Sequence, residues 1–425
     1  MVKLLIIADD FTGALDTGVQ FAASGASTRV VTDVQVDYKL VDPEVLVLVL
    51  DAETRHLKPV EAGQVVAKVV RQARAAGVSY IYKKTDSALR GNIGAELEAL
   101  CKETGGRIHF LPAFPQLGRI TKNGIQYVDG LPVSDSVFGK DPFEPVKHSQ
   151  LIDILAEQTD LPVALMGTVL PDKENLPEGI LVYDSETSAQ MENLARGILQ
   201  EGELHYCAGC AGFASVLPHL LGLEGRRCET PKLPVELLVV CGSVNPITVA
   251  QLDNAERMGV PRIRLTLENK LNPAWPYSAE ALKQLQIWKQ QCLSSGALIL
   301  DSNDRPGKLD TKTYCRGNDY TLGKMRNMIA QNMGALVRQL LDLGLNATLM
   351  ITGGDTLLGF MQQVGVSELA PIGEVTTGVV LSSFNYAAKK YCVITKSGGF
   401  GNENFVEELK RYIVDQNTER GKVVC

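Results

Sequence analysis

Two spacings of apolar residues alternate along this chain. Near-continuous Val/Ile/Leu runs occur at residues 2–8, 29–32, 45–50, 78–82 and 108–111, and runs of this kind predict strands buried on both faces. Between them, residues 11–24 and 58–76 have the length and spacing of helices, with Gly25 and Gly77 placed as C-terminal stops. This alternation of strand and helix predicts an α/β fold with a mainly parallel sheet. The pattern breaks over residues 116–147, rich in Gly, Pro, Asp and Ser, where Asn123-Gly124 reads as a hairpin turn between Thr121 and Val128. A long excursion or a small β-insert is expected there. Residues 162–166 and 179–183 return to the sheet, followed by a helix over 188–199.

The segment GRRCETPKLP at 225–234 has no apolar period and marks a domain boundary. A second α/β series follows, with strands expected at 237–241, 262–265, 297–301, 348–352, 379–384 and 391–395 and a long amphipathic helix at 322–343. The expectation is an α/β protein of two domains, 1–228 and 234–425. Each has a mainly parallel sheet flanked by helices, and the active site is expected in the cleft between them.

Composition narrows the function classes. The 425 residues suit two or three domains at roughly 150 residues each. With 45% hydrophobic and 21% charged residues the chain can bury a sizeable aliphatic core, which excludes disorder as the main state. The 42 Lys+Arg against 49 Asp+Glu give a net charge of −7, so no basic field is available for nucleic acid. No apolar stretch reaches the roughly 20 residues of a membrane span. Ala8 runs straight into Asp9 and Asp10 without a signal-peptide cleavage pattern, and a cytoplasmic protein without membrane partners is expected. Nine cysteines, from Cys101 to Cys425, suit reduced thiols better than a disulfide framework. Cys207 and Cys210 have a suggestive spacing, yet the five histidines are scattered and no HExxH occurs, so no metal-ligating side chains are expected.

Chemistry-bearing residues collect where predicted strands end. The first strand runs into ADDFTGALDTG (8–18), and in an open α/β sheet ligands sit outside the carboxyl ends of the strands. Asp9 or Asp10 can cap the following helix, but a cap needs only one acid. Strand 45–50 ends at Asp51, with Arg55 four residues on, either a surface charge or a bidentate carboxylate clamp. Strand 78–82 leads into KKTDSALRGN (83–92), where Lys83, Lys84, Thr85, Asp86 and Arg90 meet at a strand-to-helix junction. That junction suits an anion pocket, with Asp86 as an alternative general base. In the second half CGSVNP (241–246), TGGDT (352–356) and KSGGFG (396–401) each follow a strand. Glycines in such turns let backbone N–H groups approach phosphates, and three loops of this kind in one domain predict a nucleotide site. GxxxxGK[ST] and a strand-borne GxGxxG are both missing, which removes the P-loop and dinucleotide readings and disfavours an NAD-dependent dehydrogenase.

Taken in order, these five motifs resemble the four-carbon acid sugar kinases, a family long catalogued only as a domain of unknown function, and the resemblance spans nearly the whole chain. It implies an ATP-dependent phosphotransferase acting on the terminal (4-) hydroxyl of a four-carbon sugar acid, D-threonate first, with D-erythronate or a 3-oxo-tetronate as alternatives. The amino-terminal domain would hold the acid sugar and the carboxy-terminal domain the nucleotide. Carried over by motif, the substrate contacts fall on Asp9, Arg55, Lys83, Lys84, Thr85 and Asp86, with Arg90 added from the junction. ATP contacts fall on Ser243, Gly353, Gly354, Asp355, Thr356 and Gly398. Asp10 and Asp86 are the expected catalytic carboxylates, with Mg2+ accompanying the triphosphate, and domain closure would bring the reactants together. CAGCAGFA (207–214) departs from the Gly/Ser-Ala-Gly stretch expected at that place. A homodimer is the default assembly, and a non-catalytic sugar-acid or nucleotide sensor is the alternative from a different class.

Overall fold

The protein, described here by a computed structural model covering residues 1–141, 144–226 and 229–422, divides into two compact units, Met1–Cys228 and Glu229–Cys425. Arg227 and Cys228, in the segment expected to separate the domains, and Cys425 lie outside the described residues.

In the first unit the sheet order is Thr28–Val31, Val47–Asp51, Leu4–Ala8, Tyr80–Lys84, Tyr206–Gly209, Arg107–Leu111, Gly179–Tyr183 and Val163–Gly167, and every pairing is parallel. Leu4–Ala8 is buried at all five positions, which is why its sequence shows a continuous apolar run rather than alternation. Helices Phe11–Ala23 and Pro59–Ala75 form where the spacing predicts them, and Gly25 and Gly77 follow with φ of +91° and +78°. The insert forms a small separate sheet. Arg119–Lys122 and Ile125–Val128 pair antiparallel across Asn123-Gly124, whose φ values of +51° and +71° are those of a tight hairpin turn.

Two strands of the larger sheets were not expected. Tyr206–Gly209 is a four-residue strand, three of whose residues are small, that lies between Tyr80–Lys84 and Arg107–Leu111, and it has no branched aliphatic side chain to mark it as a buried strand. In the second unit Glu368–Thr376 carries Pro371 and Gly373, pairs antiparallel with Val379–Tyr386, and shows two register shifts. Both features weaken the strand signal. The order there is Arg262–Arg264, Ala297–Asp301, Leu237–Cys241, Thr348–Thr352, Lys389–Lys396, Val379–Tyr386, Glu368–Thr376, the first five mutually parallel. The helix expected at 322–343 spans Leu322–Asp342. Among the described residues no helix is long and apolar enough to cross a membrane.

Candidate active site

In the first unit Leu4–Ala8 and Tyr80–Lys84 are neighbours, paired Ala8 to Lys84, and their outgoing connections diverge. Phe11–Ala23 leads back toward Thr28–Val31, whereas Ile93–Thr104 leads to Arg107–Leu111 on the other side. Diverging connections open a crevice at the carboxyl ends of the two strands, and ADD and KKTD are the sequences found there. Asp10 caps the helix, its Oδ1 accepting from Gly13 N at 3.0 Å. Gly13 is required because a Cβ there would lie 2.3 Å from Lys84 Nζ.

Arg55 ties the acids together. Its Nε donates to Asp9 Oδ2 at 2.7 Å and its Nη1 to Asp10 Oδ2 at 2.9 Å. Its Nη2 lies 2.8 Å from Asp10 Oδ1 as an ion pair, outside hydrogen-bond geometry, and 3.8 Å from Asp86 Oδ1. The rest of LRGN supports this arginine. Asn92 Nδ2 donates to the carbonyls of Thr54 and Leu57 (2.8 and 2.9 Å), and Gly91, at φ +93°, leaves room for Arg55, whose Cγ a Cβ would meet at 3.1 Å. Arg90 grips Asp86 with two nitrogens (2.8 and 3.0 Å), reaches Asp141 at 3.2 Å, and lies 5.1 Å over the Phe138 ring.

The structure thus brings Asp9, Asp10, Arg55, Lys84, Thr85, Asp86 and Arg90 together, with Lys83 behind them on the other face of its strand, close enough for its charge to act on Asp9. Successive strand residues point to opposite faces, so Lys84 turns toward Asp9 and Asp10 (3.8 and 3.9 Å). Lys83, fully buried, turns to Glu96 at 3.0 Å and to its neighbour's carbonyl, Lys84 O, at 2.7 Å. Both lysines belong to the strand rather than to the loop after it, because each finds a carboxylate on its own face. Glu96, which sequence reasoning missed, is also buried and accepts from Thr54 Oγ1. An acid in the first turn of the helix after KKTDSALRGN is its only sequence signal.

Electrostatics separates the carboxyls. Burial raises Asp9, but Arg55, Lys84 and Lys83 outweigh it and bring the group down to about 2. Burial likewise opposes ionisation of Asp86, and Arg90, Arg55 and Lys84 hold it well below the usual carboxylate range. Asp51 goes the other way, pushed well up by burial and by its neighbours Glu53 and Asp10. Asp9 Oδ1 and Thr85 Oγ1 are buried without a hydrogen-bond partner, as expected for groups that await a polar ligand. Cys207 and Cys210 are buried thiols, Cys210 pushed up to about 11 by burial and placed 3.3 and 3.2 Å from the carbonyls of Pro112 and Ala113.

The second unit repeats the topological device. Leu237–Cys241 and Thr348–Thr352 are paired Cys241 to Thr352, and their helices Pro246–Arg257 and Gly354–Val364 lead to opposite sides. Lys389–Lys396 lies alongside, paired Thr352 to Lys396, so the three glycine loops share one edge. Their contacts are close. A Cβ on Gly242 would sit 1.7 Å from Thr356 Oγ1, and one on Gly398 would sit 2.6 Å from Ser243 Oγ. Gly353, at φ +103°, lies beside Ser243 N and begins the helix that carries Gly354, Asp355 and Thr356. Asp355 Oδ2 is held by Arg326 at 2.9 and 2.8 Å, and Thr352 Oγ1 is buried without a partner. Two helix N-termini and glycine-lined backbone at one sheet edge suit the phosphates of a nucleotide.

Comparison with known proteins agrees with this division. Residues 4–217 match a family model described as a sugar-binding N-terminal domain, and residues 238–406 one described as a nucleotide-binding C-terminal domain. A D-threonate kinase of Salmonella typhimurium is 28% identical over 97% of this chain and 98% of its own. A D-erythronate kinase of Heliobacterium modesticaldum is 25% identical over 95% of each. A solved structure of a Salmonella typhimurium protein shares the fold with a TM-score of 0.76, at 20% identity over 97% of this chain and 99% of that one. With both domain models matched in order along the chain and kinases of such acids among its full-length relatives, this protein belongs to the four-carbon acid sugar kinase family, phosphotransferases with an alcohol group as acceptor.

Proposed function

We propose that this kinase transfers the γ-phosphoryl group of ATP to the 4-hydroxyl of D-threonate. The observation that carries the reading is the buried cluster at the first switch point, where Arg55 locks Asp9 and Asp10 while Asp9 Oδ1, Thr85 Oγ1 and the Lys84 ammonium keep unused capacity. A sugar acid presents what that capacity fits, a carboxylate for Lys84 and hydroxyls for Asp9 and Thr85. Asp10 and Asp86 have both oxygens engaged, by Gly13 and Arg55 and by Arg90 respectively, so they shape the site. Asp9 Oδ1 is the carboxylate oxygen left to orient the reacting alcohol. Phosphoryl transfer through a loose transition state needs alignment and charge neutralisation more than a strong base, so a carboxyl held at about 2 is adequate.

Ser243, Gly353, Gly354, Thr356 and Gly398 would line the triphosphate. Asp355 fits a Mg2+ ion, since its carboxylate, held through Oδ2 by Arg326, offers hard oxygen beside the glycine loops. When bound, that ion supplies charge neutralisation on the phosphates. D-threonate leads because the relative of that name is 28% identical, against 25% for the D-erythronate kinase, with D-erythronate and a 3-oxo-tetronate as the alternatives. The test is ADP release with Mg-ATP across D- and L-threonate, D- and L-erythronate and a 3-oxo-tetronate. Strongest turnover on D-threonate is expected; strongest turnover on another member reassigns the substrate, and ATP binding without turnover on any favours a sensor.

A further inference from the structure

Lys83, Lys270 and Lys396 rank among the largest fully buried side chains of the described residues. Two bring a counter-charge with them, Lys83 in Glu96 at 3.0 Å and Lys270 in Asp304 at 2.6 Å. Lys396 is surrounded by neutral oxygens instead. Its Nζ donates to Phe400 O (2.9 Å), Ser397 O (3.0 Å) and Thr248 Oγ1 (3.2 Å), with Gly398 O at 3.4 Å. The Phe405 ring lies 5.7 Å away, and the titratable neighbour acting on it is Cys241, two strands across the sheet. Among the described residues no carboxylate is paired with Lys396, and burying a cation without an anion is strongly unfavourable, so the missing charge calls for an explanation.

The carbonyls it gathers belong to the third glycine loop. A trans peptide places C=O and N–H on opposite sides, so turning the carbonyls of 397, 398 and 400 inward turns the N–H groups of Gly398, Gly399 and Gly401 outward. Thr248 Oγ1 and Gln251 Nε2 buttress the same carbonyls, donating to Gly398 O at 2.7 Å and Phe400 O at 2.9 Å. Outward N–H groups in a glycine loop make an anion-binding concavity.

We propose that Lys396 is a positioning residue for the nucleotide, a buried cation whose counter-charge is the phosphate group of the ligand, and which shapes the KSGGFG loop to receive it. The inference rests on the reading of the second unit as the ATP site. Burial pulls the Lys396 ammonium down to about 8, while Cys241, pushed up to about 12, stays neutral across the working range. A phosphate that favours the charged form must raise that value on binding, and by linkage affinity must fall as pH rises past about 8.

The experiment is calorimetric titration with Mg-free ATP from pH 7 to 9.5, on the wild type and on Lys396→Met, with D-threonate titrated in parallel. Above about pH 8 the wild-type Kd should rise toward tenfold per pH unit. Lys396→Met should bind ATP at least about tenfold more weakly at pH 7, lose the pH dependence and keep its affinity for the acid sugar. It should also melt no lower than the wild type when unliganded, because an unpaired buried charge has gone. A lower melting temperature with unchanged ATP affinity would make Lys396 merely structural and overturn the proposal. A flat wild-type profile from pH 7 to 9.5 overturns it without any variant. Failure of the wild type to bind ATP at every pH overturns instead the reading of the second unit.

Discussion

Arg55 is the keystone of the acidic crevice, and Arg55→Met tests how much the clamp contributes. The guanidinium holds Asp9 at 2.7 Å and Asp10 at 2.9 Å, with side-chain exposures of 9% for Arg55 and 2% for Asp9. Removing one partner of such a buried pair costs about 3–5 kcal/mol. At 1.36 kcal/mol per decade, the slowest amides of Leu4–Ala8 and Tyr80–Lys84 should lose about two to four orders of magnitude of hydrogen-exchange protection. Trp275 and Trp288 both lie in the second unit, so tryptophan emission serves as the control. The pH dependence has a definite sign. Asp9 is lowered from 3.8 to about 2 in the folded protein, so its contribution of about 2 kcal/mol is present above about pH 4 and lost as pH falls toward 2. Arg55→Met removes much of the pull that lowers Asp9, so its deficit against the wild type should shrink over that window. Asp9→Asn combined with Arg55→Met should be less damaged than Arg55→Met alone, since the more deeply buried of the two carboxylates that Arg55 clamps is then no longer charged. Additivity of the two single effects within about 0.5 kcal/mol, or a deficit unchanged between pH 7 and pH 3, would refute the clamp as the source of the stability.

Lys83→Met should destabilise by about 3–5 kcal/mol by stranding Glu96, whereas Lys83→Met/Glu96→Leu should recover most of that loss in chemical unfolding and retain turnover. A folded double variant without turnover would make Lys83 a substrate contact after all. His109 is fully buried, with Nδ1 2.9 Å from the Tyr183 hydroxyl, and burial lowers it from 6.5 to about 4. The unfolded chain therefore takes up a proton that the folded protein refuses, and stability should fall by about 3 kcal/mol between pH 6.5 and 4. His109→Phe should flatten that part of the melting curve against pH, and an unchanged slope would exclude His109 as its origin.

Much of the first site was legible because its residues sit at strand ends, and strand ends are visible in an apolar pattern. Asp9, Asp10 and the KKTD junction follow directly from residues 2–8 and 78–82. Glu96 and the two faces of the Lys83-Lys84 pair were not legible. Which lysine turns toward which helix depends on the register of Tyr80–Lys84 against Leu4–Ala8, and a one-residue slip would exchange them. Tyr206–Gly209 escaped detection for a related reason. Its place in the sheet comes from strands far earlier in the chain, and four residues of Tyr, Cys, Ala and Gly carry no period of their own.

By itself the sequence determined the α/β class, the break between the two series, the hairpin at Asn123-Gly124 and the motifs that place the chemistry at strand ends, because each is a local consequence of spacing, turn chemistry and composition. Tertiary structure alone decided the strand order, and with it the two switch points that gather distant motifs. It also decided which charges are neutralised within the protein and which, like Lys396, are buried with neutral neighbours. Charge compensation is a property of space rather than of spacing, since Glu96 meets Lys83 and Asp9 meets Arg55 only once separate strands and helices have packed.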